Sequence, residues 1–221
     1  MFHLSFFHFF YRFCYNYLKA TNKEYIMANQ PTATIFAGVN GAGKTTLYFL
    51  AQEQGINLGY RINVDEIAQS IGDHKDTKTQ VRASKIAIKM RRVHLRDRLD
   101  FNQETTLCGK SILNLFNELK VNNYKINLRF VGLDSPQTAK ERVKIRVAKG
   151  GHDTKPHLID KRYYESMQNL LKVVPLCNEI LVYDNTQNYE IIAKITNGVL
   201  DLQKNIAWFN DLISNKTTKN I

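Results

Sequence analysis

The sequence predicts a three-layer α/β fold that has a central, mostly parallel sheet and that also carries a helical lid and a C-terminal β-hairpin. Short apolar runs with the character of strands alternate with helical patterns along most of the chain, which is typical of a parallel sheet. A glycine-rich stretch follows the first predicted strand and leads into a helix. Late in the chain, an Asn-Gly pair separates two β-forming runs, which is a strong hairpin signal. These three observations define the expected architecture.

The glycine-rich stretch at residues 38–45 matches the phosphate-binding P-loop pattern G-x-x-x-x-G-K-[ST]. Residues 33–37 before it resemble a buried strand, and no helix breaker follows it. Such a loop brings backbone N–H groups and the positive end of a helix dipole to a polyphosphate. We therefore predict a nucleotide-kinase-like P-loop NTPase fold that binds a nucleoside triphosphate. Lys44 is expected to reach the β- and γ-phosphates and Thr45 to bind Mg²⁺. The predicted nucleotide-binding residues are Gly38, Val39, Asn40, Gly41, Ala42, Gly43, Lys44, Thr45 and Thr46.

The composition narrows the class of protein. The 221 residues carry a net charge of +11, which indicates an anionic partner, either a nucleic acid or a phosphate-rich small substrate. The three cysteines, Cys14, Cys108 and Cys177, lack the spacing of metal ligands. Such a sparse, odd set predicts a reducing, cytoplasmic location. We find no apolar stretch long enough to span a membrane, and expect no membrane association.

The first 26 residues differ in composition from the rest of the chain. Six of the twelve phenylalanines lie within positions 2–13, and Met27 then begins a segment that would suit a start just ahead of the first strand. Residues 1–26 are either an upstream or added tail that is not native to the fold, or an aromatic segment that regulates the nucleotide site. The kinase-like domain is expected to cover residues 27–214, followed by a disordered tail at 215–221.

An acidic pair follows the second predicted strand, residues 60–64. With a single helix between it and the P-loop, this pair comes too early for the Walker B strand of a motor ATPase. Small-molecule kinases place an acceptor-binding carboxylate at this point, where it can take the proton of an attacking hydroxyl. Asp65 is therefore predicted as the catalytic base, and capping of a helix at residues 66–71 is the alternative.

A long helix is predicted over residues 77–99, with Val81, Ile86, Met90 and Val93 on its buried side. Its basic residues predict a solvated face, with a nucleic-acid surface as the second interpretation. They are Lys78, Arg82, Lys85, Lys89, Arg91, Arg92, Arg96 and Arg98.

Glu104 and Thr105 lie near the end of the strand predicted at residues 101–107. Open α/β sheets bind ligands at this edge. Glu104 is predicted to order Mg²⁺ or hold a substrate hydroxyl, and Thr105 to bind phosphate. The alternative for the threonines of this stretch is that they only favour the strand.

Two further helices are separated by Gly150 and Gly151: one opens at Ser135-Pro136 and runs to Lys149, and the other covers residues 156–173. They carry Arg142, Arg146 and Arg162 and are typical of the lid of a nucleotide-type kinase. Lid arginines stabilise the charge of a transferring phosphoryl group, and closure excludes water. Surface ion pairs are the alternative for each arginine.

The combined motifs resemble the zeta toxin family of P-loop kinases, particularly its short bacterial members. The resemblance extends from about residue 32 to about residue 210. It rests on residues 38–47, 63–66, 101–107, 142–152, 162–163 and 183–185.

This resemblance implies a toxin-type kinase that uses ATP and Mg²⁺, with an antitoxin protein as a possible partner. Better-known members phosphorylate the 3′-hydroxyl of the aminosugar in UDP-N-acetylglucosamine. The resemblance further implies Asp65 as the base and Glu104 and Thr105 as substrate and metal-site residues. It places Arg146 and Arg162 at the phosphates, although the lid spacing differs from that of the larger plasmid-borne toxins.

Two other classes of function stay open. One is a polynucleotide or nucleoside kinase or another nucleic-acid-associated P-loop ATPase, of which the nucleic-acid-linked forms would use the basic helix. The other is a binding module without turnover. A GTPase is disfavoured because the Asn-Lys-x-Asp guanine motif is absent from the sequence. A nucleic-acid partner is not our leading expectation.

Overall fold

The computed structural model describes residues 30–217 apart from His74 and His152. The chain divides into two units, Met1–Pro31 and Thr32–Ile221, and the fold is that of the second unit. Residues 1–26 lie outside the described residues, so both interpretations of this segment stay predictions.

The strands of the described residues form one seven-stranded sheet in the order β2-β3-β1-β4-β5-β6-β7. The five strands from β2 to β5 in this order are parallel, whereas β6 and β7 are antiparallel to their neighbours. This confirms the predicted mostly parallel sheet. The strands are β1 (Thr32–Ala37), β2 (Tyr60–Ile62), β3 (Phe101–Thr105), β4 (Lys125–Gly132), β5 (Glu179–Asp184), β6 (Glu190–Thr196) and β7 (Val199–Leu202).

Helices connect the parallel strands, as a parallel sheet requires. They are α1 (Lys44–Glu53), α2 (Val64–Ile71), α3 (Thr77–Asp97), α4 (Lys110–Val121), α5 (Pro136–Ala148) and α6 (Pro156–Val173), then a 3₁₀ turn (Val174–Leu176) and α7 (Ala207–Thr217). The predicted lid helices correspond to α5 and α6. Ser135 caps α5, because its Oγ accepts from the Thr138 N–H.

The central strand β1 is buried almost completely. Ala33, Ile35, Phe36 and Ala37 have no exposed surface, which fits a strand buried on both faces, without an alternation of buried and exposed residues. Its neighbours β3 and β4 run in the same direction. The carboxyl ends of these strands therefore meet at one edge of the sheet, where the P-loop begins.

The predicted hairpin is confirmed. Strands β6 and β7 pair in register up to Thr196 and Val199. Between them, Asn197 and Gly198 both have positive φ, 49° and 84°, as a type I′ turn requires. Helix α7 ends at Thr217, so the helix extends into the segment predicted as a disordered tail at 215–221. Residues 218–221 lie outside the described part of the chain.

The buried face of α3 agrees only in part with the predicted one, in that Ile86 and Met90 are half-buried. Val81 and Val93 are 49% and 41% exposed, whereas Ala83, Ala87, Arg91 and His94 are buried. Small residues on this face allow α3 to approach its neighbours, and hydrophobic periodicity alone does not detect such a face. Arg91, predicted as solvated, therefore points inward. We found no helix among the described residues with the length and apolarity to cross a bilayer.

Tyr124 provides a test of how α3 is attached to the sheet. Its side chain is 2% exposed, and its hydroxyl donates to the carbonyl oxygens of His94 and Leu99. We expect Tyr124→Phe to lower the free energy of unfolding by about 1 kcal/mol, because the hydrogen bonds that the buried hydroxyl donates are lost. Urea unfolding measures this change. Tyr164, which is 58% exposed, provides the control Tyr164→Phe. Equal stabilities of the two variants would contradict this role of Tyr124.

Candidate functional site

The candidate site lies at the carboxyl edge of the parallel strands. The P-loop follows β1, α2 begins just after β2, and Glu104 and Thr105 end β3. Because β2, β3 and β1 are neighbours in the sheet, these three segments come together. Sequence order separates them by tens of residues, and the parallel topology brings them to one place.

Gly38 allows the P-loop to turn across the end of the neighbouring strand β4. Its φ of 142° is unfavourable for a residue with a side chain, and a Cβ at this position would lie 2.3 Å from the Val131 carbonyl oxygen. Only glycine fits such a close backbone approach. The tight path of the loop therefore depends both on Gly38 and on its close approach to β4.

Three carbonyl oxygens of the P-loop region accept side-chain hydrogen bonds. Lys44 Nζ donates to Val39 O at 3.0 Å, Asn185 Nδ2 to Ala42 O at 2.8 Å, and Tyr189 Oη to Gly43 O. These bonds satisfy oxygens that would otherwise repel a polyanion, and they hold the loop in one shape. Asn185 and Tyr189 follow β5 in the sequence. Asn185 belongs to a stretch that resembles the zeta toxin family, but the sequence assigned neither residue a role.

The first turn of α1 has no side-chain N-cap, as is also the case for α4 and α6. Gly43 is its N-cap and supplies no side-chain hydrogen bond, whereas Asn63 and Ser135 cap α2 and α5 through their side chains. Within the described residues, α1 is thus left without a side-chain cap. The N–H groups of a first helical turn have no partner within the helix, so they suit a phosphate ligand.

Glu104 is the centre of the polar contacts at this edge. Its Oε2 accepts from Thr45 Oγ1 at 2.9 Å, and its Oε1 accepts from Asn63 Nδ2 at 3.0 Å. Arg61 also donates to Oε1, at 2.5 Å. These bonds join the start of α1, the end of β2, and β3. The predicted metal-site residues Thr45 and Glu104 are therefore in direct contact.

Asp65 lies in the first turn of α2. The strand before it ends at Ile62, and α2 starts at Val64, so the prediction of a strand up to residue 64 is wrong. Asn63 provides the cap, because its Oδ1 accepts from the N–H of Asp65 and of Glu66. The capping alternative for Asp65 therefore does not hold. The Asp65 side chain is exposed and acts electrostatically on Lys44.

Arg61 is a site residue that the sequence prediction missed. It forms ion pairs with Glu66 and Glu104, and its guanidinium lies 3.5 Å from the centre of the Tyr48 ring. Stacking and paired carboxylates together fix the plane of a guanidinium. Arg61 therefore orients Glu104. A positive residue on a short strand gives no such signal in the sequence, because both carboxylates come from other segments.

Lys44 is half-buried next to several charges. Desolvation lowers the pKa of its ammonium group, and the nearby Arg146 lowers it further, whereas Glu104 and Asp65 raise it. A partly buried cation is stabilised by anions around it. The nearby carboxylates provide part of this stabilisation, and a polyphosphate would provide more of it.

The three lid arginines occupy different positions. Arg162 Nη1 donates to Asn40 Oδ1 at 2.9 Å, and Arg146 acts electrostatically on Lys44. Arg142 Nη2 instead donates to Thr186 O at 3.0 Å, which attaches α5 to the segment after β5. The structure thus brings Arg146 and Arg162 to the P-loop, and gives the guanidinium of Arg142 a partner elsewhere.

The two remaining predicted threonines lie at the edges of the site. Thr105 is half-buried, and its Oγ1 accepts from the N–H of Leu107 at 3.0 Å. Thr46 is exposed in the first turn of α1. Among the described residues, neither threonine forms a hydrogen bond with Glu104.

The side-chain oxygens of Thr45 and Glu104 are suitable ligands for Mg²⁺. A hydroxyl and a carboxylate are hard oxygen ligands, and Mg²⁺ is typically held by one or two carboxylates together with substrate phosphates. Over the part of the chain that the structure describes, no cluster of three or more His, Cys, Asp or Glu residues could form an all-protein metal cage. The pair of residues therefore fits an ion that is shared with a nucleotide.

The parallel sheet, the glycine loop and the paired lid helices define a P-loop protein with the fold of nucleotide-type kinases. The sequence model of the zeta toxin family matches residues 16–195. The chain belongs to the zeta toxin family. This match begins ahead of Met27, within the segment predicted as an extension.

Known relatives and structures agree with this fold. A protein of Haemophilus influenzae (strain ATCC 51907 / DSM 11121 / KW20 / Rd), described as uncharacterized, is 28% identical over 141 residues, 64% of this chain and 97% of that protein. A structure of the PezAT chromosomal toxin–antitoxin system of Streptococcus pneumoniae has a TM-score of 0.56 at 15% identity, covering 90% of this chain and 86% of that chain.

A structure of AvrRxo1-ORF1:-ORF2 with ATP is also similar. Its TM-score is 0.57 at 13% identity, and the match covers 85% of this chain and 63% of that chain. Similarities at such low identity show a shared fold.

Proposed function

We propose that this protein is an ATP- and Mg²⁺-dependent kinase that transfers the γ-phosphate to a hydroxyl of a nucleotide sugar. The preferred acceptor in this proposal is the 3′-hydroxyl of UDP-N-acetylglucosamine, and the biological role is that of a cytoplasmic toxin paired with an antitoxin protein. Family membership supports the toxin role. The acceptor comes from the family resemblance.

The observation that carries this proposal is the hydrogen-bonded contact between Thr45 and Glu104 beside Asn63. It joins the phosphate side of the site, at the start of α1, to the start of α2, where Asp65 lies. A kinase needs both parts: groups that hold the phosphates, and a carboxylate that receives the proton of the acceptor.

In the proposed reaction, the acceptor hydroxyl oxygen forms a bond to the γ-phosphorus, the bond from that phosphorus to the bridging oxygen breaks, and ADP leaves. Asp65 takes the hydroxyl proton. Lys44, Arg146 and Arg162 stabilise negative charge on the transferred group and on the leaving oxygen. Thr45 and Glu104 would hold Mg²⁺, which supplies charge neutralisation between the phosphates.

The test is a kinase assay of the full chain with ATP, Mg²⁺ and a panel of nucleotide sugars, nucleosides and oligonucleotides. We expect phosphorylation of UDP-N-acetylglucosamine that is lost on removal of Mg²⁺. Expression in a bacterial host should arrest growth. Turnover on another panel member would keep the kinase and reject this acceptor, and ATP binding without any turnover would favour a binding module. Comparing the full chain with a form that starts at Met27 tests regulation by residues 1–26.

A polynucleotide kinase is the second candidate, because the outer face of α3 is strongly basic. Six of its basic residues are exposed: Lys78, Arg82, Lys85, Lys89, Arg92 and Arg96. Nucleic-acid binding through such a face would weaken steeply as salt is raised. An absence of oligonucleotide binding at low salt would reject this candidate.

A further inference from the structure

Residues 184–189, here called the post-β5 segment, hold the P-loop through two side chains. Asn185 Nδ2 donates to the Ala42 carbonyl oxygen at 2.8 Å, and Tyr189 Oη donates to the Gly43 carbonyl oxygen. A peptide unit is planar and trans, so its carbonyl and the N–H that follows point in opposite directions. Fixing these two carbonyls therefore also fixes the direction of two N–H groups that the loop can offer to a phosphate.

Asp184 anchors the post-β5 segment where it leaves the sheet. It is the last residue of β5 and is 9% exposed. Its Oδ1 accepts from Trp208 Nε1 and from Thr186 Oγ1, both at 2.8 Å, and its Oδ2 accepts from the Thr186 N–H at 3.3 Å. None of the ion pairs in the described part of the chain includes Asp184. Since a buried carboxylate is stable only when it is paired or hydrogen-bonded, Asp184 depends on these donors.

Trp208 is the donor that comes from a distant element, the C-terminal helix α7. Its ring packs on the end of β4, where a Cβ on Gly132 would lie 2.2 Å from Cη2 of the ring. The ring fits there because Gly132, the last residue of β4, has no side chain. Trp208 is 7% exposed. This close packing fixes the indole ring and directs its N–H at Asp184.

We propose that Asp184 and Trp208 are positioning residues for nucleotide binding. Their hydrogen bond fixes the post-β5 segment, and Asn185 and Tyr189 in turn keep the P-loop in the shape that receives the phosphates of ATP. This inference rests on the nucleotide site of the proposed kinase, and it adds the C-terminal helix α7 to the support of that site. Neither Asp184 nor Trp208 touches the nucleotide, so both act through the loop.

Calorimetric titration of the full chain with a non-hydrolysable ATP analogue and Mg²⁺ tests the proposal without turnover. Trp208→Phe keeps an aromatic ring and removes the N–H donor. We expect it to raise the Kd by about 3- to 10-fold, which is within the range for residues that act on a site from a distance. In the kinase assay, the KM for the acceptor should stay within about twofold, because the acceptor in the proposed function binds beside α2 and not on the loop carbonyls.

Asp184→Asn should weaken binding of the analogue more strongly, by about 10-fold or more. With the amide nitrogen in place of Oδ1, it would face the Trp208 N–H, and in place of Oδ2 it would face the Thr186 N–H. Either orientation therefore sets two donors against each other. If both residues act through one bond, the double variant should bind no more weakly than Asp184→Asn alone. Additive losses would overturn the proposed coupling.

Tyr124→Phe is the matched control for Trp208→Phe. It also removes the buried donor of an aromatic side chain, but Tyr124 lies just ahead of β4, at the end of the sheet away from the P-loop. Its Kd should stay close to the parent value, and thermal melting reports the stability that each variant loses. Equal Kd values for the two variants would overturn the proposal, because a general loss of stability would then account for any effect.

Hydrogen exchange of the P-loop without nucleotide gives a readout that does not depend on kinase activity. Amides of residues 38–46 should exchange faster in Trp208→Phe and in Asp184→Asn than in the parent chain, and at the parent rate in Tyr124→Phe. Nucleotide binding without phosphoryl transfer would reject the proposed kinase and leave this inference standing. Unchanged loop exchange in both variants would overturn it. If Trp208→Phe fails to fold, Asp184→Asn decides the outcome.

Discussion

Replacing Asp65 by asparagine is expected to lower kcat by about 10²- to 10⁴-fold, the range that a general base contributes. Asparagine has nearly the same shape but cannot take a proton. The Asp65 side chain is exposed, whereas its N–H is held by Asn63, so the change should leave α2 intact. The KM for ATP should stay within about twofold, because the nucleotide contacts in this proposal lie on the P-loop.

Steady-state kinetics with the best acceptor of the panel measures this effect. Asp201→Asn is the matched control, because Asp201 is exposed in the C-terminal hairpin, on β7. A kcat for Asp65→Asn within a few-fold of the control would exclude Asp65 as the base. Loss of ATP binding with kcat preserved would instead assign Asp65 to the nucleotide.

Replacing Glu104 by glutamine is expected to reduce activity by about 10²-fold and to raise the Mg²⁺ concentration at half-maximal rate by about 10-fold or more. The amide loses the charge that would bind Mg²⁺. An amide nitrogen in place of Oε1 would conflict with Asn63 and Arg61, which both donate there, whereas in place of Oε2 it could donate to the Thr45 hydroxyl. The loss should therefore appear mainly in kcat and in the metal titration.

The control for Glu104 is Glu179→Gln. Glu179 also pairs with two cations, Arg129 at 2.7 Å and Lys194 at 3.3 Å, but it lies at the start of β5. Both variants break a partly buried ion network, and only one of the networks lies at the P-loop. If the two variants had the same Mg²⁺ dependence, Glu104 would have only a structural role.

The local features of this fold were predictable because they depend on local chemistry. The P-loop is recognisable from glycines, Lys44 and Thr45 at fixed spacing, and the hairpin from Asn197 and Gly198. A run of small, β-branched and apolar residues identified the buried strand β1. Each of these signals lies within a few consecutive residues, so no knowledge of distant contacts is needed.

Predictions failed where a distant segment determines the outcome. The face of α3 was predicted from Val81, Ile86, Met90 and Val93. Ile86 and Met90 are half-buried, whereas Val81 and Val93 are exposed because the alanines of the helix take the buried positions. The same error in the predicted face led to the expectation that Arg91 is in solvent. Whether a basic residue on a helix is solvated depends on which face of the helix meets the sheet. The aliphatic residues of α3 do not identify that face, because several of them are themselves exposed.

The amino-acid sequence by itself determined the phosphate-binding loop, the alternation of strands and helices, and membership of the zeta toxin family. Tertiary structure alone decided which residues surround that loop. The parallel order of β2, β3 and β1 brings Arg61, Asn63 and Glu104 together, and β5 brings Asn185 to the loop carbonyls. The physical reason is that hydrogen bonds and charges act over a few ångströms in space, whatever the separation along the chain.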